Sequence, residues 1–271
     1  MKRKGLLAGM LVMVMLIGTL TVGCTINGND VSSVKYKNSK EYKLGGATIN
    51  VDIEEIEIQW VNGDINIEYA NVDGIEFSEI MAKDYNEEYK LRYLVSGNKL
   101  MIRFCKSGIT VKGQIKKNLT VKIPKNYEFK TTTIETVSGK VVLPDSFKSE
   151  IISYDGVSAD FTNEGQILYT KMDVNTVSGE VIIEADAKEE TEINTVSGDV
   201  TLSGRLSGTI DADSVSGDVI VVVTSATKFK ADYDSVSGRY RTSLEESDNP
   251  TLKINVSSVS GDLMVTTDKP E

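Results

Sequence analysis

Apolar residues along the second half of the chain follow two periods at once. Within about ten residues they alternate with polar ones, the rhythm of a strand with one buried face. Over about twenty residues the whole pattern begins again. A Val-Ser step marks each return, at Val137, Val157, Val177, Val196, Val215, Val236 and Val259, with spacings of 20, 20, 19, 19, 21 and 23 residues. Glycine follows in every copy except Ser158-Ala159.

With the motif valine as position 0, position −3 is Ile134, Tyr154, Val174, Ile193, Ala212, Tyr233 or Val256. Position +4 is Val141, Phe161, Val181, Val200, Val219, Tyr240 or Leu263. The upstream stretch is apolar at −5 and −3, whereas the downstream one is apolar at 0, +4 and +6. The alternation therefore slips by one residue, which turns side chains to the other face unless the chain bulges or turns a corner. Asp155, Asn175, Asn194, Asp213 and Asp234 stand just before the slip, and such residues bond their own backbone in turns. The glycine at +2 allows close approach of two walls or a positive φ. Val-Ser-Gly is thus predicted to be the elbow of a coil, with the valine pointing inward.

One such coil has too little core to order itself, so each must hydrogen-bond its neighbours and share one interior with them. The fold class expected is all-β: a single-stranded parallel β-helix, or β-solenoid, of about 20-residue coils. Right-handed winding is the default for parallel crossovers. The frame extends upstream, where Ile56, Ile58, Val61, Gly63, Ile65 and Ile67 take positions −5, −3, 0, +2, +4 and +6. Residues 46–133 otherwise read as an irregular β-rich cap, with an antiparallel hairpin across Gly97-Asn98 and a strand, "NLTVKIP", ended by Pro124. The regular repeat occupies 134–271.

The first 23 residues read as a signal peptide: Lys2, Arg3 and Lys4 precede an apolar run from Gly5 to Leu20. "LTVGC" ending at Cys24 resembles a bacterial lipobox, which implies lipidation of Cys24 and an extracytoplasmic, membrane-anchored protein. Residues 24–45, with Lys35, Lys37, Lys40 and Lys43, read as a polar tether. Removing residues 1–23 deletes three positive charges and no negative ones, so the net charge moves from −10 to −13. Nucleic acid is a poor partner for such a chain, because phosphate affinity depends on Lys and Arg. Cys105 alternates opposite Leu100, Ile102 and Phe104, which puts it on the less buried face as a small apolar filler.

The lipobox, the strand-rich opening with "LTVKIPKNYEF" and the serial T/S-V-S-G-D/E-V coils together resemble the adhesin-like family of bacterial β-strand repeat proteins in the toast-rack group. The likeness covers roughly residues 46–265. It implies an all-β solenoid-like domain at the cell surface, in some members linked to envelope-stress systems, and supplies no catalytic residues.

The chain has no histidine, which removes Ser-His-Asp and Cys-His nucleophile systems. Zinc and iron centres built on His and Cys fall with it. Phosphate-cradling glycine motifs are absent too. Hard-oxygen chemistry survives. At position +3, Asp160, Glu180, Asp199 and Asp218 would stack into an acidic ladder able to take Ca²⁺, although solvated turn carboxylates that discourage edge pairing explain it as well. The calcium nonapeptide GGxGxDxUx is not present. A carbohydrate-active enzyme would draw on the same ladder with Lys140, Arg239 and Arg241. The reading that fits the whole sequence is a lipid-anchored, non-catalytic binding protein of the cell envelope. Its partner would be a glycan or a protein, and no cofactor is required. An envelope-sensing regulator coupled to a membrane partner is the alternative, with the enzyme third.

Overall fold

Valine, isoleucine and threonine at alternate positions favour extended backbone, and the computed structural model is built almost wholly of strands. It describes residues 31–112 and 115–267. The expected signal peptide, Cys24 and residues 268–271 lie outside the described residues.

Among the described residues, nine rungs can be numbered in chain order. Rung 1 is Glu55–Gln59 with Ile65–Ala70, and rung 2 is Lys99–Arg103 with Lys117–Pro124. Rungs 3 and 4 are single long strands, Glu128–Leu143 and Lys148–Asn163. Rung 5 is Ile167–Thr176 with the first half of Val181–Thr195; the second half of that strand and Val200–Leu206 form rung 6. Rung 7 is Gly208–Ser214 with Val219–Val222. Rung 8 is Phe229–Ser235 with Tyr240–Thr242, and rung 9 is Leu252–Ser258 with Leu263–Thr266.

Parallel pairing joins the rungs in the expected register, as in Val181↔Val200 and Val200↔Val219. Val177, Val196 and Val215 lie on consecutive rungs, with Ser197 N–H donating to Val177 O and Ser216 N–H to Val196 O, each at 2.9 Å. This is the solenoid that the repeat predicts. Its order departs from the sequence at both ends. Rung 3 stacks on rung 1, and rung 2 lies outside rung 1. Rung 7 stacks on rung 9, and rung 8 lies outside rung 9. The spatial order is therefore 2-1-3-4-5-6-7-9-8. Every repeat offers its neighbours the same hydrogen-bonding frame, so pairing alone does not require consecutive rungs to touch.

The elbow also needs correction. Inward positions on the upstream side are −5, −3 and −1; on the downstream side they are +2, +4 and +6. The slip thus falls at the valine and serine themselves, and the motif valines are half-exposed, with Val236 71% exposed on the outermost rung. Position −1 is buried although polar in most copies: Thr136, Thr176, Thr195, Ser214 and Ser258. In Thr176, Thr195, Ser214 and Ser258 its hydroxyl ties the corner. Thr195 Oγ1 accepts from Gly198 N–H at 2.9 Å, and Ser258 Oγ accepts from Gly261 N–H at 2.7 Å. In rung 4, which has Gly156 at −1, the Tyr154 hydroxyl reaches Ala159 O instead, at 2.7 Å. The +1 serine bonds across rungs, with Ser178, Ser197 and Ser216 Oγ donating to the motif-valine carbonyl of the rung before at 3.1–3.2 Å. The +2 glycine is there for close approach: a Cβ on Gly198 would overlap the carbonyl oxygen of Gly179.

The cap holds the hairpin Arg92–Ser96 with Lys99–Arg103, as expected. Residues 31–45 are not a free tether. Val31–Ser33 pairs with Thr110–Lys112, Lys43–Leu44 pairs with the hairpin, and Val34 is buried. Cys105 is fully buried rather than on the less buried face, and burial pushes its thiol up to about 12. Beside it Lys117 is wholly buried, its ammonium donating to Glu79 Oε2 and Tyr89 O at 2.6 Å and to Phe104 O. The Phe104 and Trp60 rings lie 4.0 and 4.9 Å from it.

Candidate binding faces

Stacking multiplies each position into a row, so the chemistry of one rung is repeated at about 4.8 Å along the rod. Three such surfaces carry polar chemistry.

The first is the predicted corner ladder. Asp160, Glu180, Asp199 and Asp218 do come together on consecutive rungs, and the exchange of rungs 8 and 9 extends the row to Asp262 before Arg239. Its carboxylates have structural work. Asp160 Oδ1 accepts from Glu180 N–H at 3.0 Å, Asp199 from Asp218 N–H at 2.9 Å, and Asp218 from Asp262 N–H at 2.8 Å. Asp262 accepts from Arg239 N–H at 2.8 Å and pairs with Arg241 at 2.8 Å. The corner breaks the backbone ladder at this amide, and the carboxylate of the adjoining rung replaces the missing acceptor. Lys140 N–H is held in the same way by Asp64 at 3.1 Å. Among the described residues no three His, Cys, Asp or Glu side chains form a group placed to hold a metal ion.

The second surface is the outer face of the upstream strands, positions −4 and −2. Inward residues at −5, −3 and −1 leave these side chains on a flat, outward sheet. Asp155, Asp173, Glu192, Asp211 and Asp213 gather there, interleaved with amides. Asn175 Nδ2 donates to both Asp155 Oδ1 and Asp173 Oδ1 at 3.0 Å, and Asn194 Nδ2 donates to Asn175 Oδ1 at 3.0 Å. Asn255 Nδ2 donates to Asp211 Oδ1 at 2.7 Å. The amides do not neutralise the acids. Partial burial, with the Glu192 and Asp155 charges added, pushes the Asp173 carboxyl up to about 6. Burial raises Asp155 and Asp213, against hydrogen bonds from Asn175 and Ser257. Glu135, at the start of the row, is raised by burial and by Asp155 and Glu57, against a bond from Gln59. A reading that followed apolar columns passes over this face, since its signal is the polar residue between each pair of inward ones.

The third surface is a groove of about 610 Å³ at the opposite corner, floored by Phe129, Leu168 and Tyr169. Its charges are largely satisfied within its own walls: Lys130 pairs with Glu54 at 2.8 Å and Lys148 with Glu128 at 2.6 Å. On the outer face, by contrast, Asp155, Asp173 and Asp211 are bonded by neutral amides, and among the described residues no cation pairs with them.

The sequence pattern of the Toastrack DUF4097 family matches residues 53–271, most of the chain. No curated protein matches the chain. Among solved structures, a candidate adhesin from Bacteroides fragilis aligns over 82% of this chain and 97% of its own, at 15% identity and a TM-score of 0.44. A candidate lipid-binding protein from Parabacteroides distasonis aligns over 86% and 99%, at 14% identity and a TM-score of 0.42. A candidate cell adhesion protein from Clostridium sporogenes aligns over 83% and 99%, at 10% identity and a TM-score of 0.34.

Proposed function

Since the chain belongs to the Toastrack DUF4097 family, we propose that it is a lipid-anchored, extracytoplasmic binding protein that presents the outer face of its upstream strands to an envelope glycan or protein. Cys24 carries the lipid in this reading, and the rod displays its rows away from the anchor. The carboxylate–amide row through Asp155, Asp173, Asn175 and Glu192 carries the proposal. It offers acceptors and donors at a fixed repeat, on a rigid sheet whose shape is set by the core behind it. Carboxyls with raised pKa gain most from a partner that brings amines or hydroxyls, because such groups relieve the mutual repulsion of the acids. Catalysis is not invoked. The motif serines donate to backbone carbonyls, and the histidine that would activate them is missing from the sequence.

The test is capture of envelope polymers and proteins on the purified protein. Combined Asp173→Asn, Glu192→Gln and Asp211→Asn should reduce capture at least tenfold without lowering thermal stability. Capture unchanged by the three substitutions would move the binding surface elsewhere.

A further inference from the structure

The rod has two unlike ends, and the end from which the N-terminal chain departs carries a charge opposite to the rest. Beyond rung 2 the upstream sheet continues through Arg92–Ser96 to Lys43–Leu44. Residues 34–44 run across this end as a fixed turn. Val34 N–H donates to Ile109 O at 3.2 Å, Glu41 N–H to Asn38 O at 2.9 Å, and the Tyr36 hydroxyl to Cys105 O at 2.9 Å. The Tyr36 and Tyr42 rings lie 4.5 Å apart, each within 6 Å of the buried Arg103 guanidinium, at 5.8 and 5.7 Å.

From this held turn Lys35, Lys37, Lys40 and Lys43 stand exposed, with Glu41 the one acid among them. Among the described residues, none of the four lies within ion-pair reach of a carboxylate; Lys99, Lys106, Lys130, Lys148 and Lys171 all do. Four lysines against one glutamate give the turn a net charge of +3, in a chain of net charge −10. Leu44, 41% exposed, adjoins them.

We propose that this end is a foot that rests on anionic lipid headgroups, with Lys35, Lys37, Lys40 and Lys43 making the contact. The proposal rests on lipidation of Cys24 in the reading above. Residues 25–30 separate that cysteine from Val31, and an extended chain spans at most about 3.5 Å per residue. The foot is thus held within about 25 Å of the bilayer, close enough for lysine side chains to enter the layer where anionic headgroups attract basic clusters. The same surface repels the acidic rows, so the contact sets orientation: base down, rung 8 outward, the acidic face clear of the membrane.

The lipidated full-length protein, reconstituted into vesicles of phosphatidylcholine alone or with about 30% phosphatidylglycerol, separates the outcomes. Flotation reports anchoring. Brief amine acetylation, read by mass spectrometry, reports contact at each lysine, with exposed Lys228 and Lys230 at the far end as internal references. The expected result is flotation in both vesicle types, with labelling of the four lysines falling at least threefold in the anionic vesicles alone and recovering in 0.5 M salt. Combined Lys→Gln replacement of the four should leave flotation intact and shorten the distance from a dye on rung 8 to the anionic bilayer. Flotation with equal labelling in both vesicle types overturns the foot and spares the anchor. Loss of flotation overturns the anchor, and the foot with it.

Discussion

Rungs 3 to 7 and the two ends solve the same problem by different means. In the middle, chain order equals spatial order and each rung meets near-copies of itself. Aliphatic side chains in register therefore fill most of the core, Val174, Ile193, Val200 and Leu202 among them, with the stacked Tyr154 and Phe161 rings of rung 4 between them and the N-terminal end. At each end, among the described residues, one neighbouring rung of the repeat is missing. There the chain exchanges rungs, and at the N-terminal end it fills the core with large or charged side chains: Trp60, Phe104 and Lys117. Repetition works only where both neighbours repeat. An end needs residues that fit nothing else in the molecule.

The largest expected effect is at the capped end. Lys117→Ala leaves the Glu79 carboxylate buried without its ammonium, which should cost about 3–5 kcal/mol in urea unfolding. A cost under 1 kcal/mol would mean the end is far looser than the middle. Burial holds the Lys117 pKa down, against the pull of Glu79, so the pair is sustained by its hydrogen bonds as well as by charge.

Next comes the regular stack. Gly198→Val places a Cβ into the Gly179 carbonyl and should cost about 3 kcal/mol, because backbone must shift in two rungs. Gly97→Ala, at a hairpin turn with open space around the Cβ, carries only the strain of its φ of +59° and should cost about 1 kcal/mol. Equal effects at the two sites would deny that the glycine column serves close approach.

A finer contrast compares two inward threonines at position −1. Thr195→Val removes a buried hydroxyl that bonds Gly198 on both its N–H and C=O, and should cost about 1–2 kcal/mol. Thr136, next to the irregular end, has a buried hydroxyl that finds no partner among the described residues. Thr136→Val should therefore be neutral or stabilising.

The smallest effect concerns pH. Asp173 has a folded pKa of about 6, above its ordinary value of 3.8, so the native state holds its proton more tightly than the unfolded chain does. Its favourable contribution is complete below about pH 3.8 and is lost as pH rises through 6. Asp173→Asn should then stabilise the protein at pH 7 by about 1 kcal/mol, solvent screening included, and flatten the stability profile between pH 4 and 7. An unchanged profile would mean that Asp173 is fully solvated.

The pitch, the strand content and the shared core were all legible in the sequence, because position −3 and position +4 repeat as apolar columns through every copy. The mapping of Ile56, Ile58, Ile65 and Ile67 onto the same frame was legible for that reason, and all four are buried. The elbow was misplaced by one step. Thr176 and Thr195 face inward without being apolar, so a search for hydrophobic positions gave the inward role to the valine beside them. The rung exchange was illegible for a deeper reason: copies that resemble one another give no clue to which neighbour each selects. Lys117 was illegible because its partner Glu79 lies 38 residues away in the cap. That Asp160, Glu180, Asp199 and Asp218 share one row is legible from their common +3 position, whereas the bonds of this row to backbone amides depend on a break in the strand ladder that no residue type marks.

The exchanged order at the outer end is open to one direct measurement, disulfide trapping of designed cysteine pairs on the half-exposed downstream strands. Met264 lies between Ile220 on one side and Arg241 on the other. Mild oxidation should therefore close a disulfide in the Ile220→Cys/Met264→Cys variant and leave Ile220→Cys/Arg241→Cys reduced. Closure of the second pair with the first left open would restore simple chain order and contradict the stack described above.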